Sequence, residues 1–133
     1  MRIAQILKEG SVVAIKGPLG SGKTCFVKGI AKALGIKEEV TSATYTIVAE
    51  YEATLLNGKT ARVPVYHIDA YRLGGDADFS ALGGEEILFG NGISLIEWSE
   101  HIFSLIPAGT LQVTIEIQDD DKRLFRIYVE DKK

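Results

Sequence analysis

The chain has 133 residues, which is enough for one domain with a substantial core and hardly enough for two. Hydrophobic residues make up 46% and charged residues 25%, as in ordinary globular proteins, and no apolar run approaches the roughly 20 residues of a membrane span. The 15 basic and 18 acidic residues argue against RNA binding as the main activity, because a protein that holds phosphates usually carries a basic face.

The few sulfur and imidazole side chains restrict the class of protein further. A single cysteine forms no internal disulfide and is typical of a reducing compartment, so we expect a cytoplasmic protein. One cysteine and two histidines are too few for a structural zinc site. The opening residues are too short and too charged a stretch for a signal peptide.

The first predicted elements are a strand and a helix joined by a glycine-rich loop. The apolar run 11–17 ends in glycine and predicts a buried strand. From Lys23 onward apolar residues recur at helical spacing, which predicts an amphipathic helix that ends at Gly35. These apolar residues are Val27, Ile30, Ala31 and Leu34. Between the two elements, residues 17–24 read GPLGSGKT, which is the Walker A pattern.

A β-hairpin and one more buried strand are predicted next. Residues 46–56 and 59–69 are rich in β-forming residues and flank an Asn-Gly pair, which is a strong hairpin turn signal. Segment 72–92 is glycine-rich and predicts only short helical pieces. The apolar run 93–98 predicts another buried strand.

The last predicted element is a second hairpin. Residues 110–118 and 123–130 alternate between apolar and polar side chains and flank the turn sequence DDDK. A strand, loop and helix followed by hairpins indicate one α/β domain over residues 1–133, with helices on a mixed parallel and antiparallel sheet.

The glycine-rich loop predicts a site for a nucleoside triphosphate. Glycines let successive backbone N–H groups turn inward, and the helix N-terminus adds the positive end of its dipole. Lys23 would reach the β- and γ-phosphates, and the Thr24 hydroxyl would bind Mg²⁺. Cys25 is interpreted as a small packing residue beside the phosphates, because no histidine or carboxylate neighbours it in sequence. The nucleotide-binding residues predicted in this segment are Leu19, Gly20, Ser21, Gly22, Lys23, Thr24 and Cys25.

Two carboxylates follow predicted strands and are candidates for the chemistry. Asp69 and Glu97 would emerge at the carboxyl ends of their strands, where sites of α/β proteins usually open. We assign Glu97 to the metal, and Asp69 either to a supporting role or to positioning of the attacking water. Trp98 fits equally well as a core residue and as a contact of the nucleotide. His67 and His101 are expected to be structural.

Four motifs, in this order, resemble the TsaE family of small bacterial ATPases in tRNA threonylcarbamoyladenosine biosynthesis. They are GPLGSGKT, TSATYTIVAEY, HIDAYRL and LIEWSE. The resemblance extends from about residue 10 to the end, and the last three motifs are more specific than the Walker A loop. It implies a P-loop NTPase-like three-layer fold with a mixed sheet, and slow hydrolysis of ATP bound with Mg²⁺.

The resemblance also implies partners and roles for single residues. TsaB and TsaD would form the complex that modifies tRNA, and TsaD would carry the catalytic site for the transfer. This chain would contact tRNA only through that complex. Thr24 and Glu97 would bind Mg²⁺, and Trp98 would lie beside the nucleotide. Thr44 and Asp69 would occupy switch-like and catalytic positions, with Glu97 as the third catalytic residue. By composition alone, the hydroxyl cluster around Thr44 would be interpreted as a polar loop.

The sequence departs from the family pattern at a few positions. Ala43 stands where a proline is usual, Pro18 where an acidic residue is usual, and Ala70 where leucine is common. The segment before the first strand is shorter than in relatives, where it helps to cover the adenine. Lys122 and Arg123, near the turn of the second hairpin, are candidates to contribute to base recognition instead.

Two other functions fit these motifs less well. A small-molecule kinase of P-loop fold would need an acceptor pocket and usually an arginine-bearing lid, and the five arginines form no such cluster in the sequence. A GTPase-like switch would need a guanine-recognition motif, and neither Asn-Lys-x-Asp nor Asp-x-x-Gly occurs. The ATPase interpretation is therefore preferred, with the kinase as the alternative.

Overall fold

The protein, in a computed structural model that describes residues 2–40, 47–119 and 121–129, is built on one six-stranded sheet. The strands are β1 (Val12–Lys16), β2 (Val48–Leu56), β3 (Lys59–Asp69), β4 (Ile93–Glu97), β5 (Leu111–Asp119) and β6 (Lys122–Val129). The helices are α1 (Arg2–Ile6), α2 (Lys23–Ala33), α3 (Asp76–Ala81) and α4 (Gly84–Leu88), and Ser99–Leu105 forms a 3₁₀ segment.

The sheet is mixed, as predicted. Its strand order is β2-β3-β4-β1-β5-β6. The four inner strands run parallel, while β2 pairs antiparallel with β3 and β6 pairs antiparallel with β5. Parallel pairing brings the carboxyl ends of β1, β3, β4 and β5 to one edge of the sheet, which is where a site is expected.

Helices cover both faces of the sheet. Side chains alternate along β1, so that Val13 and Ile15 face one core and Val12 and Ala14 face the other. The first core lies under α1 and α2 and includes Val27, Ile30, Leu34 and Leu95. The second lies under α3, α4 and the 3₁₀ segment and includes Ile68, Phe79, Leu88, Ile96 and Ile102. The predicted three-layer α/β fold is confirmed.

Helix α2 ends as the sequence predicts. Gly35 has a φ of +67°, which glycine adopts without steric cost. Its N–H donates to the carbonyl of Lys32, and the N–H of Ile36 donates to that of Ala31, at 3.1 and 3.0 Å. These two bonds form a Schellman motif, which satisfies carbonyls that the end of a helix leaves without partners. No helix of the described ranges is long and apolar enough to cross a membrane.

Candidate nucleotide site

The loop between β1 and α2 requires glycine for two different reasons. Gly20 and Gly22 have φ values of +80° and +99°, and a Cβ added at either would meet nothing within 4 Å, so the backbone conformation is what favours glycine. Gly17 is restricted by space instead. A Cβ there would lie 2.5 Å from Ser21 Oγ and 2.9 Å from the carbonyl oxygen of Ile115, so the loop packs directly on β5.

Lys23 is the first residue of α2, and its side chain extends back into this loop and is only 5% exposed. Its Nζ donates to the carbonyl oxygens of Gly17 and Pro18 at 2.6 and 3.0 Å. The same ammonium lies 3.8 Å from the ring centroid of Trp98, which is a close cation–π contact. Trp98 is therefore a neighbour of the P-loop lysine, although its half-buried ring also packs against the core under α3 and α4.

Glu97 links the loop to the neighbouring strand. The hydroxyl of Thr24, in the first turn of α2, donates to Glu97 Oε1 and Oε2 at 3.0 and 3.2 Å. On the other side of the carboxylate, His67 Nε2 lies 2.5 Å from Glu97 Oε2. Glu97 and His67 are 4% and 1% exposed, so both groups are held in the protein interior. The structure thus places a hydroxyl, a carboxylate and an imidazole in one hydrogen-bonded chain.

Asp69 ends β3 directly beside Glu97, since the two residues are partners in the parallel register of β3 and β4. Its Oδ1 accepts the backbone N–H of Tyr71 at 3.0 Å, which holds the half-exposed carboxylate at the strand end. The Tyr71 ring lies 4.8 Å from that of Trp98. Asp69 and Trp98 therefore flank Glu97 at the carboxyl edge of the sheet.

The remaining predicted residues lie at the periphery of the site or outside the described ranges. Leu19 is 82% exposed at the loop, and Cys25 is exposed in the first turn of α2. Thr44 lies outside the described residues. From the second hairpin, Arg123 donates to the carbonyl oxygen of Gly20 at 3.4 Å, so β6 lies next to the loop.

His67 was expected to be structural, and its contact with Glu97 was not predicted. The signal was present as a spacing: His67 precedes Asp69 by two residues in a strand, so both side chains leave the same face of the sheet. His101 has a different position. Its Nδ1 lies 3.0 Å from the carbonyl oxygen of Ala70, and its ring lies 6.0 Å from that of Trp98.

The donor set fits a magnesium ion bound together with phosphates. Mg²⁺ prefers oxygen ligands at about 2.0–2.1 Å in octahedral geometry, so neighbouring ligands lie roughly 3 Å apart. Thr24 Oγ1 and Glu97 Oε1 are 3.0 Å apart. The described residues contain no group of three or more His, Cys, Asp or Glu that could hold a metal. One carboxylate and one hydroxyl are what a metal shared with a phosphate ligand requires. The buried Ser21 Oγ, which has no hydrogen-bond partner in the described structure, adds a free polar group to the loop.

The pKa of Lys23 is lowered from its ordinary value of 10.5, because burial removes water from the ammonium. Carboxylates of Glu97, Glu100 and Asp69 oppose this shift. Below the pKa of the folded state Lys23 is charged in both states, and the desolvation penalty is fully present. As pH rises through that pKa the folded protein releases the proton first, so this group's contribution to the free energy of unfolding rises with pH up to 10.5.

We expect Glu97→Gln to lower the pKa of Lys23 further, because the largest of the opposing charges is then removed. NMR titration of the lysine ¹³Cε resonances measures the change. Glu116→Gln is the matched control, since Glu116 pairs with Arg126 on the second hairpin and is not among the carboxylates acting on Lys23. An unchanged or raised pKa in the Glu97 variant would contradict this electrostatic account.

The fold and the site together define a P-loop nucleotide-binding protein. The glycine-rich loop joins a buried parallel strand to a helix, and the first lysine of that helix donates back to the loop. A carboxylate from the adjacent strand accepts a hydrogen bond from the threonine that follows the lysine. This arrangement supports nucleotide and metal binding in general.

Comparison with known proteins identifies the family. The family model described as threonylcarbamoyl adenosine biosynthesis protein TsaE matches residues 1–125, so the chain belongs to the TsaE family. The chain is 41% identical to the tRNA threonylcarbamoyladenosine biosynthesis protein TsaE of Treponema pallidum, over 91% of this chain and 84% of that protein. It is 39% identical to the TsaE of Bacillus subtilis, over 90% of this chain and 70% of that protein.

A solved structure gives the same fold. The crystal structure of Bacillus subtilis YdiB matches with a TM-score of 0.71 and 34% sequence identity, covering 95% of this chain and 72% of that one.

Proposed function

We propose that this chain, as a single P-loop domain over residues 1–133, binds ATP with Mg²⁺ and hydrolyses it slowly in tRNA N6-threonylcarbamoyladenosine biosynthesis in the cytoplasm. The observation that carries the proposal is the hydrogen bond from the hydroxyl of Thr24, the residue directly after Lys23, to the Glu97 carboxylate. Thr24 and Glu97 are 73 residues apart in sequence, so the fold itself assembles this pair. The relatives from Treponema pallidum and Bacillus subtilis are named as proteins of tRNA threonylcarbamoyladenosine biosynthesis, which supports the proposed pathway.

Each residue of the site has a role in this proposal. Lys23 and backbone N–H groups of the loop bind the phosphates, and Thr24 and Glu97 hold Mg²⁺ directly or through its waters. When bound, Mg²⁺ would neutralise charge on the phosphate oxygens. Asp69 and Thr44 complete the catalytic set with Glu97, Asp69 by positioning the attacking water. The nucleotide-binding residues are Leu19, Gly20, Ser21, Gly22, Lys23, Thr24, Cys25 and Trp98.

The proposed partners are TsaB and TsaD, so that contact with tRNA is indirect. The formal net charge of −3 supports this division, because a chain that bound tRNA by itself would be expected to carry a basic surface. Slow turnover by the isolated chain follows if a group that stabilises the transition state comes from the partner. An arginine supplied in this way accelerates related reactions by about 10³–10⁵-fold.

ATP turnover by the chain with and without a purified TsaB–TsaD complex tests the proposal. We expect slow, Mg²⁺-dependent release of phosphate from ATP alone and faster release with the complex. Turnover of GTP and transfer of phosphate to small metabolites are measured in parallel. Phosphate transfer to a metabolite would favour the kinase alternative, a preference for GTP would favour a switch protein, and the lack of any stimulation or contact would contradict the proposed partners.

A further inference from the structure

His67 holds Glu97 from the side of the carboxylate that faces the protein interior. An ionised carboxylate only accepts hydrogen bonds, so in the 2.5 Å contact the hydrogen lies on His67 Nε2 and is donated to Glu97 Oε2. In the parallel register His67 pairs with Leu95, and Asp69 pairs with Glu97. Along the parallel strands, His67 therefore lies two residues further from the carboxyl edge of the sheet than Glu97 does.

The position of His67 is determined by strands on both sides. Its backbone pairs with Ala49 of β2 and with Leu95 of β4, and its side chain is 1% exposed. Its Nδ1 is buried without a hydrogen-bond partner in the described structure. A buried polar atom without a hydrogen-bond partner destabilises the folded state, so packing alone does not explain why an imidazole occupies this position.

The two oxygens of Glu97 differ in their contacts. The Thr24 hydroxyl contacts both, Oε1 at 3.0 Å and Oε2 at 3.2 Å, and among the described contacts Oε2 alone also accepts the short bond from His67. Thr24 is the residue that would share a metal with Glu97. A metal between them would replace their direct hydrogen bond, and His67 would then be the remaining protein donor seen here that orients the carboxylate.

We infer that His67 is a positioning residue for the metal site: it fixes Glu97 Oε2 from inside the sheet, so that Oε1 is presented toward Thr24 and a divalent cation. The inference rests on the proposed function, since it assumes that Glu97 serves a metal bound with a nucleotide. Partners of this kind orient metal ligands in many sites, and their loss typically costs about 10–100-fold in metal affinity or activity.

The test compares two substitutions of His67. His67→Gln keeps an N–H donor at nearly the position of the imidazole Nε2, whereas His67→Leu fills the space without a donor. We expect His67→Leu to weaken Mn²⁺ binding to the ADP-bound protein by about 10–100-fold, and His67→Gln to stay within about threefold of the native affinity. Mn²⁺ binding is measured by electron paramagnetic resonance. Nucleotide binding without metal, which we expect to be unchanged in both variants, is followed by the fluorescence of Trp98, the single tryptophan.

Gln112→Leu is the matched control, because it also removes a 2% exposed polar side chain from a strand, but on the opposite face of the sheet beside Ala14. It should leave Mn²⁺ affinity unchanged. If His67→Leu does not fold, by circular dichroism and thermal melting, His67→Asn replaces it, because its shorter amide does not reach Glu97, and the same weakening is expected.

The outcomes separate the two proposals. Native Mn²⁺ affinity in the variant without a donor, or equal weakening in His67→Gln, would overturn the positioning role while the native protein still binds nucleotide and metal. If the native protein binds neither ATP nor ADP, with or without metal, the proposed function fails, and the role of His67 fails with it.

Discussion

Replacing Lys23 with alanine is expected to weaken ATP binding by about 100-fold or more. Hydrogen bonds to charged groups contribute about 1.5–3 kcal/mol each, and Lys23 would make at least one to the β- or γ-phosphate while supplying the positive charge inside the loop. Each 1.4 kcal/mol corresponds to about a tenfold change in affinity. Titration with ATP, followed by isothermal calorimetry or Trp98 fluorescence, measures the effect.

Lys28→Ala provides the control for this substitution. Lys28 lies on the same helix but is exposed, so its removal should leave ATP affinity within about twofold of the native value if helix α2 remains intact. Thermal melting should show that both variants fold, because the hydrogen bonds described for the Lys23 side chain go to carbonyls of the loop itself, those of Gly17 and Pro18. ATP binding that is unchanged in a folded Lys23→Ala protein would disprove the site assignment.

The second large effect is expected on turnover in Glu97→Gln. The amide has the shape of the carboxylate but not its charge, so it should hold Mg²⁺ much less well. A metal contributes several kcal/mol of transition-state stabilisation, and each 1.36 kcal/mol is a factor of ten in rate. We expect a fall in kcat of about 100-fold or more, whereas ATP affinity measured without metal should change by less than about threefold.

Glu100→Gln separates this effect from a general loss of negative charge. Glu100 is exposed on the 3₁₀ segment three residues later and also acts electrostatically on Lys23. We expect it to retain most of the native turnover. Hydrolysis by Glu97→Gln at the native rate would show that Glu97 does not serve the metal, and loss of metal-free ATP affinity equal to the loss of rate would point to a damaged loop instead.

The elements around the site could be predicted closely because their signals are local. The span of β3, residues 59–69, is the same in the prediction and in the structure, since a turn precedes the strand and apolar residues alternate along it. Helix α2 begins at Lys23 and closes at Gly35 as predicted, because both ends depend on glycines. The short helix α1 was not predicted, because five residues are too few to show a helical period.

What the sequence by itself determined is the chemistry available at each position: a Walker A loop, and carboxylates at the ends of two apolar runs. The family resemblance from its motifs agrees with the family model. Only the tertiary structure decided which of these groups meet. The order β3-β4-β1 places Glu97 between the P-loop strand and the strand that carries His67, and no local pattern encodes that order. His67 illustrates most clearly what a local sequence pattern cannot predict. Its spacing from Asp69 indicates which face of the sheet it occupies, whereas its contact with Glu97 depends on the pairing of β3 with β4.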